Sequence, residues 1–197
     1  MYLVPTRFPL STLEAAGCAA LKVILFFIIL LTPTQFIFAD SPREQKIKAA
    51  VAFYIAKFIQ WPVNIEKPRT SLRLCTIEGS EMTPFLNEVF DGKTINKLPV
   101  NVLNLMSTDG LMKSACDIIF VSRDQSEKNN SDIAALSGHP VLSICEHDKL
   151  TWGACMAQIF PSDNRAKIAF DINLAARAGL KVSSELLALA VTRSGSR

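Results

Sequence analysis

Apolar positions set the rhythm of this chain. Between Glu44 and Gln60, the residues Ile47, Ala50, Val51, Tyr54 and Phe58 recur at three- and four-residue spacing. They therefore share one face of a predicted helix. Phe53 falls off that stripe, near Lys46 and Gln60 on the polar side. Trp61-Pro62 ends the helix, because a residue before proline is pushed out of the helical region. Leu72 to Ile77 predicts a strand, and Glu81 to Phe90 a short helix closed by the Asp91-Gly92 turn. Val100 to Leu105 predicts a second strand and Asp109 to Ser114 a helical turn. Asp117 to Val121 is an unbroken apolar run after its first residue, which predicts a strand buried on both faces. A weak helix follows over Gln125 to Ser137, then a fourth strand over Val141 to Cys145.

Strands alternating with short helices imply a parallel sheet with helices on its faces. After Cys145 the rhythm changes. Met156 to Phe160 and Lys167 to Ile172 predict two more strands, joined through Pro161-Ser162-Asp163-Asn164. So short a connection requires an antiparallel hairpin. Asn173 is placed to cap a helix through Ala178, with Gly179 ending it. Ser183 is placed to cap a last helix holding Leu186, Leu187, Leu189 and Ala190. The expected fold is α/β: a mostly parallel sheet of about six strands flanked by helices, with an antiparallel C-terminal hairpin.

The first 39 residues change the picture. Lys22 opens an apolar run from Val23 to Leu31, Thr32-Pro33-Thr34 breaks it, and small Ala39 precedes Asp40. That is the order of a secretory signal peptide, and it predicts export. The run is shorter than the roughly 20 apolar residues a membrane span needs. An uncleaved anchor is the variant of this reading. The long polar lead from Met1 to Gly17 suggests a start codon further along. Cys18 precedes the apolar run instead of ending it, so it is not a lipoprotein cysteine. Taking residues 1–39 from 197 leaves 158, which suits one domain, 40–197.

The whole chain carries a formal charge of +3. Arg7, Lys22 and Glu14 fall in the leader, so the remainder is about +2, with charges mixed throughout. This is no footprint for nucleic acid. The remainder keeps Cys75, Cys116, Cys145 and Cys155. An even count in an exported domain favours disulfides, and four cysteines allow three connectivities. Pairing nearest neighbours would close rings of 42 and 11 residues. The chain-entropy model gives such rings roughly 4 and 3 kcal/mol of stabilisation.

Two segments at opposite ends of the domain carry a family resemblance. One runs from Lys46-Ile47-Lys48-Ala49-Ala50 to Phe58-Ile59-Gln60-Trp61-Pro62. The other runs from Phe170-Asp171-Ile172-Asn173-Leu174-Ala175-Ala176 through Ala178-Gly179-Leu180-Lys181-Val182-Ser183-Ser184 to Leu186-Leu187-Ala188-Leu189-Ala190. With the strand Asp117-Ile118-Ile119-Phe120-Val121-Ser122 and the cysteine layout, the chain resembles the YfiR family over about residues 44–191. The resemblance implies a periplasmic regulator. Such a protein binds the periplasmic sensor domain of an inner-membrane diguanylate cyclase of the YfiN type and holds it off. Its release raises cyclic-di-GMP and favours biofilm formation. The resemblance also implies redox sensing through disulfides, and it pairs Cys75 with Cys116 and Cys145 with Cys155. Dimerisation fits the family, and no segment of the sequence marks an interface.

Several residues carry more than one reading. The Cys145–Cys155 pair is either a structural staple or a redox-responsive bridge, since a loop location permits exposure and exposed bridges are the labile ones. No Cys-x-x-Cys motif supports a thiol–disulfide exchanger. Cys145, His147 and Cys155, with Glu146 or Asp148, have zinc-ligand chemistry but match no usual spacing. Phe53 is a candidate partner contact, or packs on the C-terminal helix. Trp61 anchors the helix end in the core, or meets a partner. Arg177 and Lys181 are solvated charges, or contacts for an acidic partner. The two histidines, His139 and His147, have no nucleophile beside them, and Leu74 to Ser80 holds one glycine and no phosphate loop. The sequence therefore predicts no enzyme, no metal and no cofactor. Glu78 to Glu81 and Ser122 to Asp124 end adjacent strands, where open α/β sheets form ligand crevices. A small-molecule-binding domain without a cyclase partner is the alternative function, its ligand unidentified.

Overall fold

The first helix of the domain starts two residues before the expected Glu44, behind a side-chain cap. Ser41 accepts a hydrogen bond from the Glu44 amide, and Pro42 opens helix α1, Pro42–Lys57. The structure is a computed structural model and describes residues 41–62, 68–108, 111, 115–163 and 165–194. The expected signal peptide over residues 1–39, Asn164 and all of the expected turn at 109–114 except Leu111 lie outside the described residues.

Helix α1 does not bury the stripe that its spacing marks. Ala49, Ala52, Ile55 and Ala56 face the core with no exposed surface, while Ile47 is 47% and Tyr54 38% exposed. Alanines explain the choice. Their short side chains let the helix lie close on the sheet, where Ile55 and then Ile59 fill the core. Burying each isoleucine contributes about 1.5–3 kcal/mol. The helix also stops at Lys57, short of Gln60. Strand β1, Ile59–Gln60, follows at once.

The remaining elements, apart from a short strand at Lys181–Val182 that pairs with β1, form one main sheet with helices around it. They are β2 (Leu72–Ile77), α2 (Thr83–Phe90), β3 (Thr94–Ile95), β4 (Leu98–Leu105) and β5 (Ile118–Val121). Next come α3 (Arg123–Ser126), α4 (Asn130–Ala135), β6 (Leu142–Glu146), β7 (Ala157–Ser162) and β8 (Arg165–Asp171). The last are α5 (Ile172–Arg177), β9 (Lys181–Val182), α6 (Ser184–Leu189) and β10 (Ala190–Arg193). The eight-stranded sheet has the order β10-β8-β7-β6-β5-β2-β4-β3. The pairs β2–β4, β2–β5, β5–β6 and β6–β7 are parallel, and β7–β8 is the expected antiparallel hairpin.

The six expected strands are present, and four short ones were not foreseen: β3 and β10 at the edges of the main sheet, and β1 and β9, which pair with each other. Strand β3 pairs with β4 across a turn in which Asn96 and Lys97 both have positive φ, as a two-residue hairpin requires. Strand β10 takes Ala190 and continues parallel to β8, so the last helix ends one residue sooner than its apolar spacing suggests. The weak helix over 125–137 is two short helices, α3 and α4. The hairpin strands extend into the expected turn, β7 to Ser162 and β8 from Arg165, with Asp163 at φ 52°. Helix α5 is capped by Asp171, whose Oδ1 accepts from the Asn173 and Leu174 amides at 2.9 and 3.1 Å. Asn173 lies inside the helix and caps nothing, and Ile172 leaves the strand to begin it. The Gly179 amide meets the Ala176 carbonyl and the Leu180 amide that of Ala175, at φ +70° for the glycine. This is the paired closure that favours glycine after a helix.

Alternation along the strands gives each sheet face its own core. Leu74, Ile118, Phe120, Ile144, Ile159 and Phe170 belong to one cluster, with residues of α1, α2, α5 and α6. Cys75, Ile119, Val121 and Cys145 belong to the other, with Ile133 of α4. All four residues of β5 are buried, as its apolar run predicts.

Candidate functional site

The two ends of the domain meet. Strand β1 pairs antiparallel with β9, placing Ile59 opposite Val182 and Gln60 opposite Lys181. The Ser183 amide extends the clasp to the Phe58 carbonyl at 3.0 Å. Trp61 closes it on the next residue. Its indole nitrogen donates to the Asp117 carbonyl at 3.2 Å, and its ring packs against the α1 side of the core. The Asp117 carboxylate takes Arg69 Nε at 2.8 Å on one oxygen and the Arg73 amide at 2.9 Å on the other. Trp61 therefore anchors the end of α1 to the start of β5.

Phe53 packs elsewhere than expected. It is half-buried, meeting Phe90 of α2 edge to face at 5.2 Å, with Lys93 Nζ 4.9 Å from its ring centre. Its neighbour is thus α2 and not the C-terminal helix. Edge-to-face rings and a cation over a ring face both suit the aromatic quadrupole.

The disulfides lie within the second core. Cys75 of β2 is joined to Cys116, with Cα atoms 6.0 Å apart, and Cys145 of β6 to Cys155, at 5.9 Å. Cys145 and Cys155 are only 1% and 4% exposed, so the loop between them does not present its sulfurs to solvent. The joined sulfurs are not thiolates for zinc. Among the described residues no three of His, Cys, Asp and Glu gather as a metal site. The His147 ring nitrogen Nδ1 faces the Ser126 hydroxyl at 3.5 Å instead. Burial lowers the His147 pKa below its usual 6.5, against the opposing pull of Glu127, Asp148 and Glu146.

Beside Cys145, Glu146 is the hub of a buried charge cluster. Lys48 Nζ of α1 reaches its Oε1 at 2.7 Å, and the two side chains are 5% and 4% exposed. Lys48 also meets Glu44 at 3.1 Å. Arg123 Nη2 donates to Glu146 at 3.0 Å while its Nη1 meets Asp148 at 3.0 Å. The sequence analysis missed this cluster. Its only sequence signal is a lysine set among the alanines of α1, and nothing links that lysine to a glutamate 98 positions away.

The crevice at the strand ends is filled by Gln125. Its amide donates to the Glu78 carbonyl at 2.9 Å and its oxygen accepts from the Ser122 hydroxyl at 2.9 Å. Open concavities lie elsewhere among the described residues. Arg177 and Arg193 line a polar recess of about 480 Å³ beside Gly153. Arg177 has no ion pair among the described residues, while Arg193 lies 3.9 Å from the Asp171 carboxylate, which also lines the recess, and 5.7 Å from the Trp152 ring centre. An apolar groove of about 570 Å³ runs between α1 and the β7–β8 hairpin. Ile47 and Val51 form its helical wall, and Ile159, Phe160, Pro161 and Ala166 its other side.

Among the described residues no helix is long and apolar enough to cross a membrane. Comparison with curated proteins finds no match. The model of one family, described as YfiR/HmsC-like, matches residues 45–191, which takes in both segments of the clasp, the strand before Ser122 and all four cysteines of the two bridges. The chain therefore belongs to the YfiR/HmsC-like family of periplasmic regulators.

Proposed function

We propose that this protein is exported to the periplasm through a cleaved signal peptide within residues 1–39, where its 40–197 domain represses an inner-membrane diguanylate cyclase. It does so by binding the cyclase's periplasmic sensor domain. The observation that carries this reading is the family match across residues 45–191. Binding acts as a population shift. The regulator holds the sensor in its inactive conformation only by the difference between its affinities for the two conformations. The bridges serve as staples, since burial keeps reductant from their sulfurs.

A pull-down with the tagged exported protein from membrane extract, run oxidised and reduced with mass spectrometry on the eluate, tests this. Recovery of a diguanylate cyclase in both samples is expected. Recovery only when oxidised would make the Cys145–Cys155 bridge a gate instead of a staple. No membrane signalling protein in either would overturn the proposal. The Arg177–Arg193 recess favours the second reading, a domain that binds a small anion, and a ligand would then raise the unfolding temperature.

A further inference from the structure

Resting on that reading, we propose that the groove between α1 and the β7–β8 hairpin seats an amphipathic helix of the partner sensor domain, with acidic residues flanking its apolar ridge. Ile47, Val51 and Tyr54 run along α1 at four- and three-residue steps, and Phe58 follows four residues on as its C-cap. That is the stripe a buried helix face shows, yet none of the four is fully buried. Apolar residues ordered in this way on a surface mark an interaction site, where scattered ones do not. Tyr54 and Phe58 pack their rings 4.6 Å apart and end the ridge as one aromatic step. The groove lies beside Ile47 and Val51. A ridge and an adjoining groove are what a partner helix engages through its own i, i+3 or i+4, and i+7 side chains.

Charge selects the kind of helix. Glu44, the acidic residue in the groove wall, is met by Lys48 at 3.1 Å. Arg165 stands across the groove without an ion pair among the described residues. Arg43 lies four residues before Ile47, on the same face of the helix, also without one. Lys57 lies three residues after Tyr54. A basic helix would be repelled along this whole length, and an acidic one attracted and held in register. The proposal differs from the surface around Phe53, Trp61 and Arg177, since Phe53 is occupied by α2 and Trp61 by Asp117.

The test uses the exported protein and the periplasmic domain of the cyclase recovered in the pull-down. Ile47→Glu with Val51→Glu should weaken binding by about a hundredfold or more, the scale of losing a central apolar anchor. Arg165→Glu should weaken it by about tenfold and slow association, with the effect shrinking at high salt. Leu189→Glu, at a 63% exposed residue outside the groove, should bind as the wild type does. Ile47, Arg165 and Leu189 are exposed while Val51 packs partly on the core, so unfolding curves are measured for each variant, and an unchanged curve for Ile47→Glu alone separates a lost contact from a lost fold. Wild-type binding with no loss in the α1 and Arg165 variants would overturn this proposal and leave the repressor reading standing. Failure of the wild type to bind any cyclase would overturn both. If the α1 variant instead converts a dimer to a monomer with cyclase binding intact, the groove belongs to a second copy and the proposal fails.

Discussion

His147 shows what a single ring contributes here. Its neutral form is favoured by burial, so the folded chain holds a proton less tightly than the unfolded chain does. That stabilisation is whole above the usual pKa of 6.5 and is lost as pH falls from there through the folded value. His147→Gln should therefore lose less stability than the wild type between about pH 7 and pH 5, a window set by the direction of the shift. Urea midpoints measured for both proteins across that range check it, and parallel slopes would contradict it. Other single residues were legible in part. Ser183 caps its helix as expected, while Ser41, which the sequence reading did not single out, caps α1. Asp171 took the cap expected of Asn173, because its strand delivers the carboxylate two residues earlier, in line with the free amides of α5.

Among the elements, α1 carries two apolar faces, and spacing alone ranks them wrongly. The face with the larger side chains, from Ile47 to Phe58, carries more hydrophobic bulk. The face with Ala49, Ala52 and Ala56 permits the closer approach to the sheet, and packing chose it. That face also takes Lys48 into the interior, where Glu146 must neutralise it. Removing Glu146 leaves the buried Lys48 with its half-exposed partner Glu44 in place of a buried one, and breaking a buried pair costs about 3–5 kcal/mol. Glu146→Ala should lower the unfolding free energy by that amount in a denaturant titration. A loss below about 1 kcal/mol would make the contact no stronger than a surface bridge. No pattern in either segment pairs these two residues, since their contact depends on where β6 ends beneath α1.

For the whole molecule, the disulfides and the clasp hold sequence-distant parts together. Cys75 and Cys116 are 41 positions apart and Cys145 and Cys155 only 10. In the chain-entropy model, removing the first bridge by paired serine substitutions should cost about 4 kcal/mol and removing the second about 3. Equilibrium unfolding of the two double variants measures both, and a larger loss from the shorter ring would contradict the model. The β1–β9 pairing gives the family's two end segments a common physical reason. One supplies the helix end and Trp61, the other the strand and the Ser183 amide that receive it.

By itself the sequence determined the class of the fold, six of its strands, the hairpin, the ends of α2 and α5, the Ser183 cap and the family resemblance. These follow from local periodicity, caps and turns, which act over a few residues and leave their mark there. The tertiary structure alone decided which face of α1 is buried, that Phe53 meets α2, that Lys48 finds Glu146, and that a groove lies open beside Ile47 and Val51. Each of these depends on how closely two distant surfaces approach, and that distance is set only when the whole sheet and its helices pack together.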